Sequence, residues 1–152
     1  MKNLKIGLKK YYKFILLICL IGLCICCVKS IDEVILFKKI DNQIELERIE
    51  KVQTKKIFYF YKSDCSVCKK YKKNINKLVQ RGLLVYGVDI SNSNINKLEV
   101  IDRYNLNEVP TVVIIKNEKC LLKIEGYCDY SILLKKFQIT INFLNLNNIL
   151  WR

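Results

Sequence analysis

Apolar residues along this chain fall into three rhythms, each predicting a different kind of element. The first is an uninterrupted apolar run from Phe14 to Val28. After it, short β-prone runs alternate with stretches whose apolar residues recur at three- and four-residue steps. Val34–Ile40 reads as a strand, followed by a helix capped by Asp41 or Asn42 and carrying Ile44, Ile49 and Val52. Ile57–Tyr61 is an aromatic strand that stops at the turn-formers Ser63 and Asp64. Tyr71, Ile75, Leu78 and Val79 predict a helix running to about Gln80, with Gly82 as its stop. Leu83–Val88 is continuously apolar, the mark of a strand buried on both faces. Ser91–Asn96 is polar loop, and Leu98, Ile101 and Tyr104 suit a short helix. Thr111–Ile115 and Cys120–Ile124 form a predicted hairpin turning at Asn117-Glu118. A last helix starts near Asp129, although Ile139–Phe143 alternates like a strand. The order β-α-β-α-β-α-β-β-α predicts an α/β fold with a mixed sheet flanked by helices.

The apolar run at the N-terminus is preceded by Lys2, Lys5, Lys9, Lys10 and Lys13, the form of a secretory signal or signal anchor. As a helix it spans about 22 Å at 1.5 Å per residue, short of the roughly 30 Å hydrocarbon core. Tyr11, Tyr12 and Lys29 can extend it by interfacial anchoring and snorkelling. No good cleavage site follows, which predicts an uncleaved single-pass membrane anchor; a secreted chain after signal cleavage is the alternative. The positive flank puts the N-terminus in the cytoplasm and the remainder outside. The predicted organisation is a basic tail and anchor over residues 1–30 and one domain over 31–152.

Composition narrows the chemistry. The 152 residues include no His, which excludes His-based triads, Cys-His proteases and His-containing metal sites. Net charge is +13; setting aside the five lysines before the apolar run leaves +8. Those remaining lysines are scattered and no nucleic-acid motif accompanies them, so no nucleic-acid partner is expected.

Against that background Cys65-Ser66-Val67-Cys68 carries the candidate chemistry, because a strand delivers it onto the first turn of a helix. Residues i and i+3 there lie roughly 5 to 6 Å apart, within the Cα separation of a disulfide. Cys65 sits where unpaired N–H groups and the helix dipole favour a thiolate. Lys69, four residues on, and Lys62 before the turn add positive charge, and Asp64 opposes them unless it turns away to cap the helix. A depressed Cys65 pKa is expected, with Cys68 as the resolving thiol. One Cys pair without His falls short of the four ligands of structural zinc, so no metal is expected unless two chains share one. Cys120 and Cys128 lie at opposite ends of a strand, about 26 Å apart, too far to pair.

Three features together resemble the thioredoxin superfamily over approximately Val34 to Ile139. They are the Cys65-x-x-Cys68 pair after a hydrophobic strand, the segment Asn107-Glu108-Val109-Pro110-Thr111-Val112-Val113-Ile114, and Ile124-Glu125-Gly126-Tyr127 before the final helix. The resemblance implies a thioredoxin-like fold and a cis Val109–Pro110 bond facing the cysteines. It implies that the Val109 backbone pairs with extended substrate, and that the pair exchanges disulfides without a cofactor. A cysteine-containing protein or peptide substrate and an unidentified redox partner that recharges the pair follow from it. With the anchor, the chain is more similar to membrane-tethered bacterial thioredoxin-like proteins, including bacteriocin-transport accessory proteins, than to cytosolic thioredoxin. A non-catalytic binding module of a peptide exporter is therefore the competing expectation. Asp64 stands where the family has tryptophan, and Ser66-Val67 replaces Gly-Pro. Tyr59 stands where thioredoxin has a buried carboxylate thought to assist proton transfer to the resolving cysteine.

Overall fold

Five aromatic or branched residues in succession, Ile57-Phe58-Tyr59-Phe60-Tyr61, demand cover on both sides, and the fold supplies it. The computed structural model describes residues 36–143 together with Ile15, with side chains through Thr140. The expected anchor and the first residues of the expected Val34–Ile40 strand lie outside the described residues. No helix among the described residues is long and apolar enough to cross a membrane.

The elements are β1 (Lys38–Ile40), α1 (Gln43–Lys51), β2 (Lys56–Tyr61), α2 (Ser66–Gln80), β3 (Val85–Asp89), α3 (Lys97–Tyr104), β4 (Thr111–Lys116), β5 (Lys119–Glu125) and α4 (Tyr130–Phe143). They follow the predicted order. The sheet runs β1-β3-β2-β4-β5, with β1 and β2 parallel to β3, and β4 antiparallel to β2 and β5. Alternation along β2 sends Ile57 and Tyr59 to one face, with α2 and α4. Phe58 and Phe60 go to the other, where Leu46 of α1 and Val100 and Tyr104 of α3 meet them. The hairpin turns at Asn117 and Glu118, whose φ of 51° and 63° are those of a type I′ turn.

Several boundaries differ from the sequence reading. Among the described residues the first strand is only Lys38–Ile40, the stretch that pairs with β3. Of the two caps expected for α1 it is Asn42 that serves, its side chain accepting from the Glu45 N–H at 2.9 Å. The buried residue of α1 is Leu46; Ile44, two positions away and so on the opposite face, is exposed, as is Val52 beyond the helix end. The same error recurs in α3, where Val100 and Tyr104 are buried and Leu98 points outward. Leu83 closes α2 and Leu84 precedes β3, which starts only at Val85. The Gly82 N–H donates to the Val79 carbonyl at 2.8 Å and the Leu83 N–H to that of Leu78 at 3.3 Å, with Gly82 at φ 85°. At the C-terminus Ile139–Phe143 is helical despite its alternation. The Thr140 hydroxyl donates to the Lys136 carbonyl at 2.9 Å, the i−4 bond a helix makes available.

Lys56 is 5% exposed at the start of β2, and its ammonium closes the end of α1 by donating to the carbonyls of Glu50 and Val52. At Gly87 a Cβ would fall 2.2 Å from the edge of the Phe37 ring, which is itself buried against Tyr59 and Tyr61. Gly87→Ala is therefore expected to destabilise the chain by about 1–3 kcal/mol through overpacking. Urea unfolding checks this, and an unchanged midpoint would contradict the close approach of Phe37.

Candidate active site

The turn between β2 and α2 is fixed before any chemistry begins. The Ile90 N–H donates to the Tyr61 carbonyl at 2.9 Å, and the Ser63 and Ser91 hydroxyls meet at 3.3 Å. The chain then folds back, Cys65 N–H to Lys62 carbonyl at 3.3 Å, and enters the helix with Cys65 as its N-cap. Asp64 is exposed and does not cap α2. Instead the Cys65 sulfur accepts the Cys68 N–H at 3.1 Å, occupying the place an N-cap oxygen usually takes. The two residues are joined as a disulfide with Cα atoms 5.2 Å apart. Cys65 is half-buried and Cys68 only 2% exposed. One sulfur thus faces solvent and the other the core.

Lys62 is half-buried and Lys69 exposed, and the Lys69 backbone N–H donates to the Cys65 carbonyl at 3.0 Å. Among the described residues neither ammonium, nor the Asp64 carboxylate, makes a hydrogen bond or ion pair with a cysteine sulfur. Any influence on a reduced Cys65 is through-space.

The Val109–Pro110 peptide is cis. Thr111 pairs with Phe60, so Pro110 comes to the end of the sheet from which the cysteine turn departs. Pro110 is buried and Val109 half-buried. The loop is tied down on both sides: the Thr111 hydroxyl donates to the Glu108 carbonyl at 2.6 Å, and the Asn107 N–H to the Glu125 carboxylate at 3.0 Å. That backbone bond, then the Asn107 amide and Lys123, hold the Glu125 carboxyl below its usual range.

Beneath the pair stands Tyr59. Its hydroxyl donates to the Cys68 carbonyl at 2.9 Å, and burial, then Tyr61, raise its pKa far above neutrality. The residue standing in for the family's carboxylate is therefore a neutral donor. Tyr61, stacked on it at 5.1 Å, is pushed up to about 12 by burial and then by Asp89 and Asp41.

A second polar cluster braces the other side of α2. The Tyr71 hydroxyl and Cys128 sulfur are 3.2 Å apart, and the Asn74 amide donates to the Cys128 carbonyl at 3.0 Å. Burial, then the Cys128 bond, raise the Tyr71 pKa. Sequence reasoning took Tyr71 as core and missed this role; the legible signal was Asn74, a polar residue on the helix's apolar face. Cys128 is half-buried and Cys120 exposed, and both are free thiols, as their separation along β5 predicts.

A fold of this order with a Cys-x-x-Cys pair at a helix start and a cis-proline loop beside it defines a thioredoxin-like protein. The family model described as a thioredoxin-like domain matches residues 43–139, more than half of the chain, and the chain belongs to that family. Among solved structures it is similar to thioredoxin from Trypanosoma brucei brucei, at 18% identity and a TM-score of 0.59 over 70% of this chain and 91% of that one. It is also similar to oxidised thioredoxin O2 from Arabidopsis thaliana, at 20% identity and a TM-score of 0.59 over 69% and 94%. Mitochondrial thioredoxin 3 from Saccharomyces cerevisiae gives 23% identity and a TM-score of 0.55 over 68% and 94%. At these identities the likeness is one of fold. Fold and cysteine pair together support thiol–disulfide oxidoreductase activity in general.

Two outcomes follow. Tyr59→Phe, which removes the donor to Cys68, is expected to cost about 1 kcal/mol in denaturant unfolding of the oxidised chain. No loss would mean that the bond is replaced by water. The second concerns pH. Unfolded tyrosines ionise near pH 10, and those of the folded site do so higher, Tyr61 at about 12. Their contribution is complete below pH 10 and is lost as pH rises through about 12. Unfolding midpoints should fall across that window, and Tyr61→Phe should lessen the fall; a flat profile would refute the assignment.

Proposed function

We propose that this protein is a membrane-anchored, extracytoplasmic thiol–disulfide oxidoreductase that exchanges disulfides with cysteines of exported proteins or peptides. The observation that carries the reading is the half-buried Cys65 capping α2 directly above the buried Cys68. In the reduced form, the Cys68 N–H and the helix dipole favour a Cys65 thiolate, with Lys62 and Lys69 in support and Asp64 opposing. The thiolate attacks one sulfur of a substrate disulfide; an S–S bond forms to Cys65 and the other substrate sulfur leaves as thiolate. Cys68 then attacks the Cys65 sulfur, closing the pair and releasing the second substrate thiol. Its proton passes to the departing substrate sulfur, because Tyr59 holds its own proton and cannot accept another. Run backwards, the same steps oxidise a substrate dithiol. The Val109 backbone, two residues before β4, is the surface on which extended substrate pairs, and an unidentified redox partner restores the pair after each cycle.

The Phe14–Val28 run supports the anchor, and the lysines before it support the outward orientation of the domain. A reporter fused at the C-terminus is expected to be active only on the outer side, and activity in the cytoplasm would reverse the topology.

The redox test uses Cys68→Ala, which leaves Cys65 able to form mixed disulfides but unable to resolve them. Substrates should accumulate on Cys65, and thiol labelling of the unaltered chain should reveal a dithiol–disulfide couple. Neither appearing would reject the reading. Tyr59 and Asp64, in place of the family's carboxylate and tryptophan, favour a non-catalytic accessory subunit of a peptide exporter as the second reading. That role predicts a Cys65→Ser chain fully functional in cells.

A further inference from the structure

The helices that cover the Cys65–Cys68 face carry charge of one sign. α2 holds five lysines and no acidic residue across Ser66–Gln80, and α4 holds Lys135 and Lys136, again with no acid. On the opposite face α1 and α3 mix signs and pair them: Arg103 bridges to Glu50 and to Glu99. Among the described residues, Lys69, Lys70, Lys77, Arg81, Lys135 and Lys136 meet no carboxylate within ion-pair distance.

These cations are also placed, not merely present. Tyr71, Asn74, Ile75 and Leu78 face inward on α2, which leaves Lys70, Lys77 and Arg81 along its solvent side. The Lys70 ammonium lies 4.7 Å over the Tyr127 ring, while the Lys77 ammonium and the Arg81 guanidinium lie 5.3 Å and 5.6 Å over Tyr130. Tyr127 and Tyr130 lead into and open α4, so the rings hold the cations along the seam between the two helices. From Lys70 to Arg81, which share one flank of α2, this track runs about 16 Å at 1.5 Å per residue. Its upper end meets the exposed Tyr127, whose hydroxyl donates to the Asp129 carboxylate at 3.3 Å just before α4, and the exposed Val67 lies between the two cysteines in sequence. A solvated face adopted only for solubility has no need of this one-sidedness, nor of an origin at the reactive sulfur.

The geometry points to an electrostatic docking track: the preferred substrate is a protein or peptide whose reactive cysteine is accompanied by a run of Asp and Glu. Its cysteine reaches Cys65 while its carboxylates lie along the α2–α4 seam toward Arg81. This rests on the exchange chemistry proposed above and adds the substrate's charge class. Anionic lipid is the competing occupant. The seam starts at the cysteine turn, so a lipid surface seated on it would crowd the sulfur that substrate must reach.

The test uses the full chain in a neutral detergent and three synthetic disulfide peptides, identical at the cysteine and flanked by Glu, Gln or Lys. Dithiodipyridine, an uncharged disulfide, reports thiols independently of charge; the exposed Cys120 also reacts, so the share lost in a Cys65→Ser chain is the signal of the pair. The Glu peptide is expected to react at least about tenfold faster than the Gln peptide at low salt, the Lys peptide slowest. The differences should collapse in high salt, where the Debye length falls to a few ångströms. Lys70→Gln/Lys77→Glu/Arg81→Glu should invert the order and leave the Cys65-dependent dithiodipyridine rate unchanged; Lys77→Glu alone provides a milder second variant with a partial loss of preference. Equal rates for all three peptides, with dithiodipyridine still reacting, would overturn the track and leave the redox reading standing. No Cys65-dependent reaction with dithiodipyridine would overturn the redox reading itself. If the triple variant loses capture by phosphatidylglycerol vesicles, relative to phosphatidylcholine, while the peptide order stays as before, the seam faces lipid and the docking proposal is wrong.

Discussion

Burial of β2 on both faces is the constraint from which the rest of this structure follows. A strand whose Ile57, Phe58 and Phe60 are all fully buried and whose Tyr59 is 1% exposed must lie in the middle of a sheet. It must also have a helical layer on each side. β3 and β4 supply the neighbours, and the paired helices supply the layers. Because β2 cannot shift by one residue without exchanging its two apolar faces, the point at which it ends is fixed as well. Cys65 leaves from that point, and Pro110 is carried to the same edge by the Phe60–Thr111 pairing. The juxtaposition of cysteine turn and cis-proline loop is thus a consequence of core packing, set before either segment makes a contact of its own.

How much of this was legible in the sequence depends on how far each signal lies from its cause. Element order and type came through because the runs at Ile57–Tyr61 and Thr111–Ile115, and the period of α2, are long enough to average over exceptions. The cysteine pair was legible because its chemistry lies in four consecutive residues. Boundaries failed where tertiary geometry decides. On the short helices α1 and α3, Ile44 and Leu98 are as apolar as Leu46 and Val100, and only the position of the sheet says which face is inside. Leu83 and Leu84 failed for another reason: their apolarity resembles strand, whereas the Leu83 backbone is committed to closing α2 and pairing with the sheet starts only at Val85. The Tyr71–Asn74–Cys128 brace joins residues more than fifty positions apart, and no local pattern encodes that contact.

Tyr59 shows what a substitution at a buried site position changes and what it keeps. A carboxylate there would be an acceptor able to take a proton from the inner thiol. A phenol held neutral by burial is a donor, and it satisfies the Cys68 carbonyl in the first turn of α2. The geometric task, holding the helix start against the strand, is retained. The proton-accepting task is not, and in the exchange proposed above the leaving sulfur takes the proton. That ties the rate to the acidity of the substrate thiol, since a lower leaving-group pKa departs faster.

The described cysteines divide by surroundings rather than by residue type. Cys65 and Cys68 share a helix turn whose backbone brings their Cα atoms to 5.2 Å, so closing the pair needs little movement. Cys128 is held by a phenol on its sulfur and by Asn74 on its carbonyl, with the Tyr127 ring packed on Tyr71 beside it. Its thiol is one member of a brace that fixes the segment entering α4. Cys120 sits on β5 near the hairpin turn, the end of the sheet away from Thr111 and Pro110, and burial pushes its pKa up. A thiol that ionises less readily is a weaker nucleophile at neutral pH, even at the surface. Thiolate-favouring geometry is therefore concentrated at Cys65, where a helix start points an N–H at the sulfur and the basic seam of α2 begins.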